Sequence, residues 1–150
     1  MLILFILICE AAGIIGGLFT SQAVSTWYKE IIKPSFNPPS WVFGPVWILL
    51  YALMGTAMYF VYQKHTSASK TALIFFGVHL IVNALWSFLF FGKRQFELAF
   101  LDIGVMWVMI VISIYLFYRV DHKAGLLLFP YLLWASFASV LNYSIWRLNA

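Results

Sequence analysis

Read by polarity, the chain is a series of long apolar runs separated by short polar breaks. Five windows are long enough to cross a bilayer as helices, approximately residues 2–24, 41–63, 71–91, 98–118 and 124–146. A helix needs roughly 20 apolar residues to span the hydrocarbon core of about 30 Å. Runs such as "ALIFFGVHLIVNALWSFLFF" do not alternate in polarity, which excludes the short alternating strands of an outer-membrane barrel. The expected fold class is all-α, an integral membrane bundle of five transmembrane helices forming a single domain over residues 1–150.

The breaks "KHTSASK", "GKRQFE" and "RVDHKAG" are brief, as turns between antiparallel helices should be. The first connection, Ser25 to Ser40, is longer and falls into two parts. In "STWYKEII", Ser25 or Thr26 is placed to cap a short amphipathic helix. In "KPSFNPPSWVFGPVW", Lys33 to Trp47, four of the chain's five prolines are concentrated. Prolines 34, 38 and 39 fix their own backbone angle and push the preceding residue out of the helical region, so Lys33 to Pro39 is expected to be extended and stiff. The second span then starts either with Ser40 as its cap, or at Gly44 with Pro45 as first helical residue. Either start sets a bend directly above Trp47.

In the first span, Cys9, Gly13 and Gly17 recur every four residues, with Ala12 and Gly16 beside them. Such a stripe allows close backbone approach, within the bundle or across a homodimer contact. The triplet "SQA" at Ser21 to Ala23 resembles a signal-cleavage site, but no Lys or Arg precedes the run and Glu10 interrupts it. It is read as a mature transmembrane helix.

With 64% hydrophobic and 9% charged residues, the composition lies outside the range of soluble domains. The formal charge of +4 comes from nine Lys and Arg residues spread over every connection, so they read as interfacial anchors and no nucleic-acid partner is expected. Lys64, Lys70, Arg119 and Lys123 fall on the side of the amino terminus, against Lys29, Lys33, Lys93, Arg94 and Arg147 opposite. The positive-inside rule therefore leans towards a cytoplasmic carboxyl terminus. Cys9 is the only cysteine, which excludes an intramolecular disulfide and a CxxC redox site.

Ionisable and amide side chains at bilayer depth are candidate sites by default. They are Glu10, His79, Asn83, Asp102 and Asn142. Glu10 reads as a group that is protonated or hydrogen-bonded locally, or as a proton-coupled transport carboxylate, and His79 as a structural hydrogen-bonding residue or an axial haem ligand. Asp102 reads as lying near its helix start, where the dipole favours it. Asn83 shares a face with His79 and Ser87. Trp27, Trp41 and Trp146 fit interfacial belts, whereas Trp47, Trp86, Trp107 and Trp134 lie deeper. Trp47 and Tyr51 are one turn apart, and Pro130, Trp134, Ala138 and Asn142 form one drifting face. Where those faces meet, two indoles flank either ordinary aromatic packing or a space suited to a flat conjugated ligand. No nucleophile triad, metal cluster, phosphate loop or carboxylate pair is present, so hydrolytic and phosphoryl-transfer chemistry is not expected.

Three stretches, "WYKEIIKPSFNPPSWVFGPVW", "VNALWSFLFFGKRQ" and "LLFPYLLWASFASVLNYSIWR", closely resemble the translocator protein family, also called tryptophan-rich sensory proteins or peripheral-type benzodiazepine receptors. With the five-span layout, the resemblance covers almost the whole chain. It implies a bundle, often dimeric, with a pocket closed by the first loop as a lid, and a bacterial plasma-membrane setting. It implies as ligands porphyrins such as protoporphyrin IX or haem, isoquinoline carboxamide and benzodiazepine-type drugs, and membrane lipid. No covalently bound cofactor is implied. Carried over by position, Trp47 and Trp134 are the pocket indoles, Asn83 a polar contact, Tyr28 and Pro38 parts of the lid, and Ala138 a lining residue beside Asn142. Val140, Leu141, Tyr143 and Arg147 fit a sterol-recognition pattern, although a chain ending four residues after Trp146 is not expected to take cholesterol. Phe36 departs from the tryptophan common in animal relatives. The resemblance implies a tetrapyrrole-binding protein that promotes light- and oxygen-dependent breakdown of protoporphyrin IX, with Trp47 and Trp134 as electron donors. Transport or sensing of porphyrins without catalysis is the alternative.

Overall fold

The computed structural model describes residues 1–150 and is entirely helical. Helix α1 covers Leu2–Ser25, α2 Phe43–Tyr62, α3 Ser67–Ser87 with a π-helical continuation Phe88–Gly92, and α4 Phe96–Val120. The last span is made of α5, His122–Leu127, and α6, Phe129–Leu148. These give five stretches long and apolar enough to cross a membrane, so the protein is a multi-pass integral membrane protein. Helices are the form this sequence must take, because hydrocarbon offers no partner for an unpaired backbone N–H or C=O. Around the bundle α1 touches α2 and α3, α3 touches α4, α4 touches α5 and α6, and α5 returns to α2. Leu7, Ile14, Leu18, Ile48, Ile81 and Leu133 point outward as a lipid-facing coat.

Local chemistry sets where each span starts. Thr66 and Ser69 form a reciprocal capping box for α3, with Ser69 N donating to Thr66 Oγ1 at 3.0 Å and Thr66 N to Ser69 Oγ at 2.8 Å. Asp121 caps α5 by accepting from the N–H groups of Lys123 and Ala124, and pairs with Lys64 at 3.0 Å. The last span is interrupted at Leu128 because Pro130, in the first turn of α6, has no N–H to continue the ladder from α5. Asp102 is the seventh residue of α4, past the first turn, where Glu97 stands instead. The expected support of Asp102 by the helix dipole is therefore absent, since that effect fades beyond the terminal turn.

The first connection departs from expectation in two ways. No helix forms over "STWYKEII": Ser25 and Thr26 donate their hydroxyls back to Gln22 O at 3.0 and 2.8 Å, finishing α1, and only one 3₁₀ turn, Trp27–Lys29, follows. Nor is Lys33 to Pro39 extended throughout, since Asn37 N donates to Pro34 O at 3.0 Å across a turn. The prolines restrict themselves and the residues before them, which leaves Ser35 and Phe36 free to bend. Entry into the second span also matches neither simple alternative. A 3₁₀ turn, Ser40–Val42, leads into α2 at Phe43, and Pro45 falls in the first α-helical turn, where its missing N–H is one of the unpaired donors anyway.

Candidate ligand-binding site

Trp47 leaves α2 one turn after its start and stacks on Tyr51, 5.5 Å between ring centroids at 27°. Its edge meets Tyr131 of α6 at 6.2 Å. From α6, Trp134 meets Phe43 edge-on at 6.1 Å and Phe137 at 5.4 Å. Both indoles border one small cavity of about 30 Å³, shared with Ala138, Leu141 and Asn142 of α6, Trp86 of α3, and Phe90 and Phe91 of the π turn. Thr20 of α1 and Tyr28 of the first connection complete the wall on the loop side. The wall is mostly apolar, as small-molecule sites are, but the space is about that of a single water and an order of magnitude below the roughly 300–1,000 Å³ of a filled pocket.

Around this cavity the Trp86, Asn142 and Tyr28 polar groups are paired, and the Trp134 indole is not. Trp86 Nε1 donates to Asn142 Oδ1 at 2.9 Å, and Asn142 Nδ2 donates to Phe96 O at 2.9 Å, which ties α3, α6 and the start of α4 together. The indole N–H of Trp134 is buried without a partner. Tyr28 is buried, its hydroxyl donating to Asn37 Oδ1 at 3.1 Å and its carbonyl accepting from Lys33 Nζ at 2.6 Å. Burial pushes the Tyr28 phenol up to about 12, against a smaller opposing effect of the Asn37 bond, so it remains a neutral donor at physiological pH.

Asn83 stands away from the cavity wall, in a second buried cluster. Tyr51 Oη donates to Asn83 Oδ1, Asn83 Nδ2 donates to Tyr131 Oη at 2.6 Å, and Tyr131 Oη lies 2.8 Å from His79 Nε2. Donor and acceptor in the Tyr131–His79 pair follow the imidazole tautomer, and the other ring nitrogen, Nδ1, is buried without a partner. His79 is fully buried with its Nε2 on Tyr131 Oη, as the hydrogen-bonding reading expects.

Five of the residues expected in the site, Tyr28, Trp47, Trp134, Ala138 and Asn142, surround the one cavity. Asn83 is two contacts removed, bonded to Tyr51 and Tyr131, which in turn pack on the wall residue Trp47, and Pro38 lies half-buried in the first connection off the wall. Of the sterol pattern, Val140, Tyr143 and Arg147 face outward while Leu141 turns into the cavity, so the four do not form one surface. Phe43, Trp86, Phe90 and Phe91 were not anticipated as wall residues. Trp86 carried a signal, being a deep tryptophan one turn from Asn83, but the inward turn of both Phe90 and Phe91 depends on a π segment with no mark in the polarity pattern.

An all-helical membrane bundle enclosing an aromatic, hydrogen-bond-braced cavity under its first connection is the class that fold and site define. The model of the TspO/MBR family matches residues 5–147, and the chain belongs to that family. It is similar to the tryptophan-rich protein TspO of Chlorobaculum tepidum, 41% identical over 95% of this chain and 91% of that protein. A protein of the same name from Archaeoglobus fulgidus is 41% identical over 99% and 97%. The translocator protein of Bos taurus is 34% identical over 97% and 88%.

Proposed function

We propose that the protein binds a tetrapyrrole, protoporphyrin IX or haem, in the cavity between α1, α2, α3 and α6, and promotes the light- and oxygen-dependent degradation of protoporphyrin IX. The observation that carries the reading is that Trp47 and Trp134, on different helices, border one mostly apolar cavity that the small Ala138, one turn from Trp134, also lines. A flat macrocycle there lies against indole faces, and the unpartnered Trp134 N–H gives a peripheral carboxylate a donor. In this reading the light-excited ring takes an electron from Trp47 or Trp134 and passes it to dioxygen, and the oxidised indole recovers an electron from the ring, so that the net flow is from porphyrin to dioxygen. The first connection, anchored by Tyr28, acts as the lid that must lift, because the closed cavity is too small for the ring.

The test is illumination of the reconstituted protein with protoporphyrin IX while the porphyrin absorbance is followed. Trp47→Phe and Trp134→Phe are each expected to slow its loss at least tenfold, and unchanged rates in both would reject the electron-donor role. Transport or sensing without catalysis is the second reading, and the family's translocator relatives favour it by name. Porphyrin uptake into proteoliposomes in the dark separates the two, because the degradation needs light.

A further inference from the structure

A second space lies outside the aromatic cavity, between α1 and α2. The two helices touch at one end: a Cβ on Gly55 would come within 2.6 Å of Ile6 N, so no side chain fits. One turn further the Tyr51 ring fills the place beside Gly13. Beyond it the helices part, and nothing lies within 4 Å of a Cβ built on Gly17 or on Gly44. The result is a wedge of about 330 Å³ with Trp47 and Tyr51 on its wall, opening beside the outward-facing Ile14 and Ile48. Thr20, Phe43 and Trp47 border both spaces and form the partition between them.

Glu10 also lines this wedge, and it has neither a hydrogen-bond nor an ion-pair partner in the chain. The one salt bridge in the protein joins Lys64 to Asp121 at the bundle end. The hydroxyls nearest in sequence are used up locally, Thr20 donating to Gly16 O at 3.2 Å and Ser21 to Leu18 O at 3.3 Å. Of the two local readings of Glu10, the hydrogen bond within the chain is absent, which leaves the protonated carboxyl as the form that stands alone here. A lone carboxylate facing hydrocarbon is unfavourable unless it is neutral or paired, and intramembrane ionisable groups mark ligand paths for that reason. No cation of this protein reaches it. A cation carried on an apolar body does, because such a molecule concentrates in the bilayer and approaches from the open side of the wedge.

We infer that the α1–α2 wedge is a binding site for a membrane-dissolved lipophilic amine, with Glu10 as its counter-ion. The apolar body lies along Gly13, Gly17 and Ile48, and the ammonium group meets the Glu10 carboxylate. The volume, at the low end of small-molecule pockets, fits one compact ring system rather than a macrocycle. The site differs from the tetrapyrrole cavity in position, charge and ligand size, and does not depend on the tetrapyrrole reading.

The experiment uses the full-length protein in nanodiscs of zwitterionic phosphatidylcholine, with empty nanodiscs subtracted. The probes are tritiated imipramine, a tertiary amine, and iminodibenzyl, which has the same ring system without the aminoalkyl chain. Wild type is expected to bind imipramine saturably and iminodibenzyl at least tenfold more weakly. Glu10→Gln is expected to weaken imipramine binding at least tenfold, and Gly17→Leu, which fills the open end of the wedge, to block it. Protoporphyrin quenching of tryptophan fluorescence in the same variants reports the inner cavity separately. Equal binding of the two probes by wild type, no saturable imipramine binding, or a folded Glu10→Gln variant that binds like wild type would each overturn the assignment.

Discussion

The Tyr131 hydroxyl ties α6 to α3, accepting from Asn83 and facing His79 one turn away, and Asn83 extends the tie to α2 by taking the Tyr51 proton. Removing that oxygen leaves two buried nitrogens unsatisfied, and such groups cost about 1–3 kcal/mol each in the desolvation they no longer recover. Tyr131→Phe is therefore expected to lower the thermal midpoint clearly, with helix content unchanged by circular dichroism. At Ala138 the opposite experiment applies. A leucine there occupies the small cavity at a strain of about 1–3 kcal/mol, and protoporphyrin quenching of tryptophan fluorescence should weaken at least tenfold while the fold persists. These two positions also differ in how they could be read beforehand. Ala138 lies on the same face as Trp134, four residues along, so periodicity alone puts it beside the indole. The Tyr131 hydroxyl is invisible to periodicity, because its role depends on which helices are neighbours.

At the scale of elements, α1 and α2 form an asymmetric pair, in contact at Gly55 and apart at Gly17. Gly55→Leu must push the Ile6 backbone away, so it is expected to destabilise the protein by several kcal/mol, near the upper end of single-residue effects. Gly17→Ala, with nothing near its new methyl, should leave the thermal midpoint unchanged or slightly higher. The small-residue stripe showed that something approaches closely, and the structure divides it: Cys9 and Gly13 meet Met58 and Tyr51 inside the bundle, while Gly17 faces open space. Helix breaks were less legible, since hydropathy averages over the π turn and over the interruption at Leu128. The cap of α5 has a pH signature. Although its partial burial works the other way, the Lys64 bond and the N–H groups of Ala124 and Lys123 hold Asp121 below its usual value. A depressed carboxylate contributes stability above its unfolded value of about 3.9 and loses it as pH falls through the lower folded value. Melting between pH 3 and 6 should show an acid decline that Asp121→Asn reduces, whereas Asp121→Ala should cost about 0.5–2 kcal/mol at neutral pH through the lost cap.

Across the whole molecule, the first connection is tied to the far end of the chain. Asn149, just past α6, donates from Nδ2 to Ile32 O at 2.7 Å and accepts from Ile32 N at 3.0 Å, an exchange like one rung of a β-ladder between residues 117 positions apart. Asn149→Ala should loosen this clasp, raising amide hydrogen exchange over residues 30–37 without altering the transmembrane helices. Neither end of that pairing is legible from polarity, since both residues lie in irregular backbone and meet only because five spans bring the first connection and the carboxyl terminus to the same side. The clasp also bears on what a binding constant would measure. If tetrapyrrole enters the aromatic cavity as proposed, a space of about 30 Å³ must first open, and the apparent dissociation constant is then the intrinsic one divided by the open fraction. A variant that weakens the clasp enlarges the competent population, so Asn149→Ala is expected to bind tetrapyrrole more tightly than wild type although it gains no contact with the ligand.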